Sequence, residues 1–158
     1  MKNILSGRKL VLDKQDVDTD QMIPARFLTT ISKKGLGEFL FVDLPEFSYE
    51  PCDSILLAGP NFGCGSSREH AVWALQDFGV KAVVAPSFGN IFKKNSGLSG
   101  LLLIEMQVES VKELISCEAS EVRVDLSESS VVCGRSEVEG NIDGFGKLCF
   151  LEQKDPLD

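Results

Sequence analysis

Imidazoles, close-set cysteines, basic clusters and long apolar runs are all scarce or missing in this 158-residue sequence. The single histidine is His70, and the five cysteines fall at Cys52, Cys64, Cys117, Cys133 and Cys149. With no Cys-x-x-Cys and no second histidine, neither a zinc site nor a disulfide framework is expected. An iron–sulfur cluster held by this chain alone is not expected either, because the usual close cysteine runs are missing. The cysteines read as small hydrophobes or spare thiols. Net charge is −8 without any Lys/Arg cluster, which argues against a nucleic-acid or anionic-membrane surface, since either calls for a basic patch. No run approaches the roughly 20 apolar residues that span a bilayer, and no basic segment leads into an apolar one. The expectation is a cytoplasmic protein with no nucleic-acid and no membrane partner.

What is present suits a packed core. Hydrophobic residues make up 43% of the chain, enough for one domain over residues 1–158. Ile4 to Leu12 reads as a strand, followed by a polar turn over Asp16-Val-Asp-Thr-Asp20. Pro24 opens a short helical piece through Leu28, and Gly35 and Gly37 mark the stretch up to Phe41 as a mobile surface loop. Ser54 to Ala58 is an apolar run bounded by turn signals, the pattern of a buried strand. Ala71, Ala74, Leu75 and Phe78 recur at helical spacing up to a glycine stop at Gly79, and Lys81 to Ala85 supplies the next strand. Further along, Ser87 to Lys94 reads as a short helix, Leu101 to Met106 as a strand and Val111 to Ile115 as helical. Val122 to Leu126, Val131 to Cys133 and Leu148 to Leu151 read as late strands. There is no internal repeat.

The stretch that carries chemistry is GPNFGCGSSREHAVWAL, Gly59 to Leu75. Ser66-Ser67-Arg68-Glu69 has the Ser-x-x-Glu form of a capping box, which places a helix start near Ser67 with Ser66 as its cap. The same stretch also suits an anion. A helix N-terminus offers unpaired N–H groups and the positive end of the dipole, and Arg68 adds a fork that matches a carboxylate. Competing motifs fail: Arg68 stands where a dinucleotide fingerprint needs its third glycine, and Gly-Lys-Ser/Thr is absent. There is no Gly-x-Ser-x-Gly, and His70 is four residues from Ser66 on the same expected helix. If Ser66 is a base, something other than histidine must lower its pKa.

Asn61-Phe-Gly-Cys-Gly-Ser-Ser-Arg-Glu-His-Ala71 resembles the signature of the swivelling domain of the aconitase superfamily. Among free-standing chains it is most similar to the small-subunit family of the isopropylmalate dehydratases. Asp18-Thr-Asp-Gln-Met-Ile-Pro-Ala-Arg-Phe27, Ala85-Pro-Ser-Phe-Gly-Asn-Ile-Phe92 and Gly100-Leu-Leu102 extend the likeness. The resemblance implies an α/β fold, a three-layer β/β/α swivelling domain, that docks on a large subunit carrying a [4Fe-4S] cluster, with no cofactor or metal on this chain. It implies Ser66 as the base that removes a proton next to a carboxylate, and Ser67 and Arg68 as holders of that carboxylate. The implied reaction moves the hydroxyl of 2-isopropylmalate to give 3-isopropylmalate, through loss and re-addition of water, in leucine biosynthesis.

The loop from Arg26 to Gly35, with Arg26, Thr29 and Thr30 as substrate-binding residues, borders the variable end of the substrate by the same resemblance. Phe27-Leu28-Thr29-Thr30 carries no positive charge, so an apolar group such as isopropyl is expected there rather than a third carboxylate. The wider substrate class is a small di- or tricarboxylate, because related subunits act on homoaconitate, citraconate or dimethylmalate; a non-catalytic anion-binding swivel module is the other alternative. Val72, Leu98-Ser99 and Leu103 depart from the usual family residues, and none touches Ser66-Ser67-Arg68. His70 reads as mainly structural, and Cys64, between two glycines, as no ligand.

Overall fold

The structure, a computed structural model, describes residues 3–28, 34–66 and 68–154. Eight strands form one mixed sheet: β1 (Ile4–Leu12), β2 (Ser54–Ala58), β3 (Val80–Ala85), β4 (Leu102–Glu105), β5 (Glu121–Asp125), β6 (Ser130–Cys133), β7 (Ser136–Glu139) and β8 (Asn141–Ile142), in the order β7-β6-β5-β1-β2-β3-β4-β8. The four central strands are parallel, with Leu10 opposite Leu56, Ile55 opposite Ala82 and Val83 opposite Leu103; β5 to β8 join antiparallel. Parallel strands are covered on both faces, which is why β2 is buried along its whole length.

Alternation along these strands sorts their side chains into two cores. Leu10, Leu12, Leu56, Ala58, Val83 and Ala85 pack with α1 (Thr19–Met22), α2 (Glu69–Phe78) and Phe92 of α3 (Asn90–Ser99). Ile55, Leu57, Ala82, Val84 and Ile104 share the other core with Val111 and Leu114 of α4 (Val108–Ser116) and with Val122, Val124, Val131 and Cys133 of the antiparallel end. Helix α4 touches β2, β3 and β7. In a flat sheet β7 and β3 would stand roughly 24 Å apart, further than the ~13 Å length of a nine-residue helix. The antiparallel end must therefore curl over the parallel strands, giving a layered α/β architecture of the kind the sequence resemblance implies.

Helix α2 follows its periodicity: Ala71, Val72, Ala74, Leu75 and Phe78 are buried, and Gly79 ends it at φ 111°. Burying Leu75 or Phe78 contributes roughly 1.5–3 kcal/mol each.

Four expectations are corrected. Residues 34–41 are no surface loop, because Leu36, Leu40 and Phe41 lie in the core and Asp77 accepts the N–H groups of Gly35 and Gly37 at 3.0 and 2.8 Å. Helix α3 starts at Asn90 rather than Ser87 and continues to Ser99, because Ser87 is occupied in holding the neighbouring loop. Leu148 to Leu151 belongs to helix α5 (Gly144–Lys154), which turns Phe150 into the second core and packs on α3. Finally, Ser66 caps nothing: α2 begins at Glu69 with Arg68 as its N-cap, and no side chain caps it. The Ser-x-x-Glu spacing is out of register by two residues with the helix that forms.

Candidate active site

Three loops that leave the carboxyl ends of β1, β2 and β3 are tied into one body, the place where open α/β sheets bind ligands. Phe62 N–H donates to the Ser87 carbonyl and Gly89 N–H to the Phe62 carbonyl, both at 3.0 Å. Gly63 N–H donates to the Val17 carbonyl at 2.7 Å, and the Asn61 amide reaches Asp16 at 2.9 Å. Gly63 (φ 80°) and Gly65 (φ 94°) take left-handed turns between these ties. A β-carbon on Gly63 would collide with the Phe92 ring, so glycine is needed there for space as well as for φ. Behind the loop the rings of Phe62, Phe88 and Phe92 pack edge-on and stacked, with centroids 5.6–6.3 Å apart. The loop is thereby backed by rigid core.

Its tip is positioned from α1. Asp18 caps that short helix in a reciprocal box with Gln21, accepting from Gln21 N–H at 2.8 Å while its own N–H donates to the Gln21 side chain at 3.0 Å. The capping box foreseen at Ser66 is thus found one loop earlier. Thr19, buried at 2% exposure, donates its hydroxyl to the Ser66 carbonyl at 2.9 Å, and its N–H bonds the Cys64 carbonyl at 3.1 Å. With its backbone so fixed, Ser66 leaves its hydroxyl exposed.

That hydroxyl accepts from Arg68 Nε at 3.2 Å, and Nη1 of the same guanidinium meets Asp20 Oδ1 at 3.2 Å. These bonds use two of the five N–H donors that a guanidinium carries. Arg68 is 23% exposed and Asp20 63%, so the fork lies partly sheltered beside an open carboxylate. A cation at this distance favours the deprotonated form of the serine. Since no side chain caps α2, its first-turn N–H groups and dipole add to a field suited to an anion.

Ser66 and Arg68 are therefore brought together. Ser67, Thr29 and Thr30 lie outside the described residues. Arg26 is on the short 3-10 turn Ala25–Phe27, where its fork grips Asp43 with bonds of 2.7 and 2.9 Å and its guanidinium lies 4.6 Å from the Phe27 ring centre. The hydrogen bond to Arg26 holds Asp43 below the usual carboxylate range, and both partners are exposed. Phe27 stacks on Phe39 at 4.1 Å. Asp20, which the sequence reading passed over, joins the two arginines: it accepts from Ala25 N–H at 3.3 Å as well as from Arg68, and its charge is felt at Arg26. The signal for it was the capping box Asp18-x-x-Gln21, which fixes the next aspartate on the exposed side of a one-turn helix.

His70 is half-buried with its ring 4.9 Å from that of Trp73, a packing position. Burial, reinforced by Asp18 and Asp16, pushes the Cys64 thiol up, so it stays protonated at neutral pH. Among the described residues no group of three or more His, Cys, Asp or Glu side chains is gathered for a metal, and no helix is long and apolar enough to cross a membrane.

Residues 41–109, which include the loop, match the family described as the aconitase C-terminal domain. The 3-isopropylmalate dehydratase small subunit of Anaeromyxobacter dehalogenans strain 2CP-1 is 41% identical over 169 residues, covering 98% of this chain and 88% of that protein. The small subunit of the same name from Francisella philomiragia is 43% identical over 166 residues, covering 97% and 87%. The crystal structure of 3-isopropylmalate dehydratase from Methanocaldococcus jannaschii superposes with a TM-score of 0.76 at 29% identity, over 95% of this chain and 94% of that one.

Proposed function

The chain belongs to the 3-isopropylmalate dehydratase small-subunit family, and on that premise we propose that it is the hydro-lyase subunit that, with a large subunit, interconverts 2- and 3-isopropylmalate in leucine biosynthesis. The observation that carries the reading is the contact between Ser66 Oγ and Arg68 Nε at the carboxyl ends of the parallel strands. Ser66, as its alkoxide, takes the proton from the carbon next to a substrate carboxylate. The guanidinium beside it lowers the cost of that alkoxide, and the fork of Arg68, with Ser67, binds the carboxylate. Thr19 holds the base in place through the Ser66 carbonyl.

The resident cofactor of this reaction, a [4Fe-4S] cluster, does not fit this chain. Cys52 precedes β2, Cys64 is a raised thiol in the site loop, Cys117 and Cys133 meet at the antiparallel end, and Cys149 is on α5. The cluster is assigned to the large subunit, where it would supply Lewis acidity. The substrate's variable end is assigned to the Arg26–Thr30 region. Arg26 is already neutralised there by both bonds to Asp43, and Phe27 offers an aromatic surface. A third carboxylate would have to break that pair or stay unpaired, which is costly in a closed site, so an isopropyl group is preferred.

The test is reconstitution with the large subunit, following dehydration by absorbance of the unsaturated intermediate. Activity is expected only in the assembled, iron-loaded complex, with isopropylmalate ranked above homoaconitate. Activity of the iron-free isolated chain would overturn the division of labour, and homoaconitate ranked first would overturn the substrate assignment.

A further inference from the structure

A second reactive arrangement lies in the other core, where the C-terminus of α4 meets the hairpin between β6 and β7. Cys117 follows α4 and is half-buried; Cys133 ends β6 and is fully buried. Cys117 Sγ donates to the Cys133 carbonyl at 3.0 Å and Cys133 Sγ to the Ala119 carbonyl at 3.7 Å, and each thiol shifts the acidity of the other. Room for this contact comes from Gly134, which turns the hairpin at φ 59°; a β-carbon there would stand 2.9 Å from the Cys117 sulfur. Lys9 of β1 clamps the end of α4 from the other side. Its ammonium donates to the carbonyls of Leu114 and Ile115 at 3.1 Å and to that of Cys117.

We propose that Cys117 and Cys133 form a thiol–disulfide modification site, with Cys117 as the attacking thiol toward a peroxide or a low-molecular-weight disulfide and Cys133 as the resolving thiol. The two sulfurs are unequal in the way this requires. Interaction with Cys133, the Ala119 backbone and the charge of Lys9 pull the Cys117 thiol down, against its own burial and the charge of Glu118. Burial, and then the hydrogen bond with Cys117, push Cys133 up to about 11. The thiolate is the nucleophile, so Cys117 reacts first. With hydrogen peroxide, its thiolate attacks one oxygen, the O–O bond breaks, and sulfenic acid forms as the other oxygen leaves as water after taking a proton. The Cys133 sulfur then attacks the sulfenic sulfur, loses its proton, and expels the second water as the S–S bond closes. Two thiols are oxidised and one peroxide is reduced to two waters. With a low-molecular-weight disulfide, Cys117 first forms a mixed disulfide and releases one thiol, and attack by Cys133 releases the other. The bond would staple α4 to β6.

The experiment exposes the full chain, alone and assembled with a large subunit, to hydrogen peroxide or to oxidised glutathione under native conditions. Loss of two hydrogens per chain and a peptide joining Cys117 to Cys133 are expected with either oxidant. In the untreated protein, brief iodoacetamide labelling at neutral pH should modify Cys117 roughly a hundredfold faster than Cys133; this readout needs no variant to fold. Cys133→Ser should stop at a dimedone-reactive sulfenic acid on Cys117, and Cys117→Ser should give no intramolecular bond. Absence of the joined peptide, or alkylation of Cys117 no faster than of Cys52 or Cys149, would overturn the proposal.

Discussion

Two cations in this molecule each sit beside a potential nucleophile, yet they are held in opposite ways. Arg68 places Nε on Ser66 and Nη1 on Asp20 at a partly sheltered rim. Lys9 spends its ammonium on three backbone carbonyls at the end of α4, and an ammonium has only three donors. Among the described residues Arg68 is thus held by side-chain oxygens, of which the exposed Asp20 can give way to a ligand, whereas Lys9 is held by fixed backbone carbonyls and reaches the Cys117 thiol through its charge. A cation that binds needs a partner it can give up; one that builds does not.

The sharpest test of the contrast is Ser66→Ala in the assembled complex. Since Ser66 is exposed and caps no helix, melting should barely move, while turnover falls roughly a hundredfold or more. A matched loss of stability and turnover would remove the proposed base. Next is Lys9→Met, which leaves the α4 carbonyls without their charged donor. Denaturant titration should register a loss of about 1.5–3 kcal/mol, with kcat and KM of the folded complex unchanged; altered kinetics would mean that the two regions are not independent. Arg68→Lys keeps the charge but not the fork, so kcat/KM should drop about tenfold, chiefly through KM. The smallest effect is expected from Asp43→Asn. Because the folded-state pKa of Asp43 is lowered, the pair with Arg26 contributes above the ordinary carboxylate pKa and fades as pH falls through the lowered value. Both groups are exposed, and such pairs are worth little. The variant and parent melting curves should therefore nearly coincide at neutral pH and merge in acid.

Local pattern made much of this legible. The apolar spacing of Ala71 to Phe78 and the glycine at 79 marked α2, and uninterrupted runs marked β2 and β3, because each of those signals reports burial of the residues themselves. Leu148 to Leu151 misled because a short apolar run has no period of its own, and only the docking of Phe150 beneath α5 decides its form. Leu36, Leu40 and Phe41 are core without being periodic. In the site, the Ser66 spacing suggested a cap that the tie from Thr19 to the Ser66 carbonyl overrides, a contact across 47 positions. Lys9 meets Cys117 across 108 positions, which no local reading reaches.

Asp20 gives the site a history before any substrate arrives. Since its carboxylate already rests on Arg68, an incoming acid does not neutralise a bare cation but swaps places with a resident counter-ion. Measured affinity is then the difference between two carboxylate–guanidinium pairings. The number of ion pairs at Arg68 is the same before and after the swap, so substrate binding should respond only weakly to added salt.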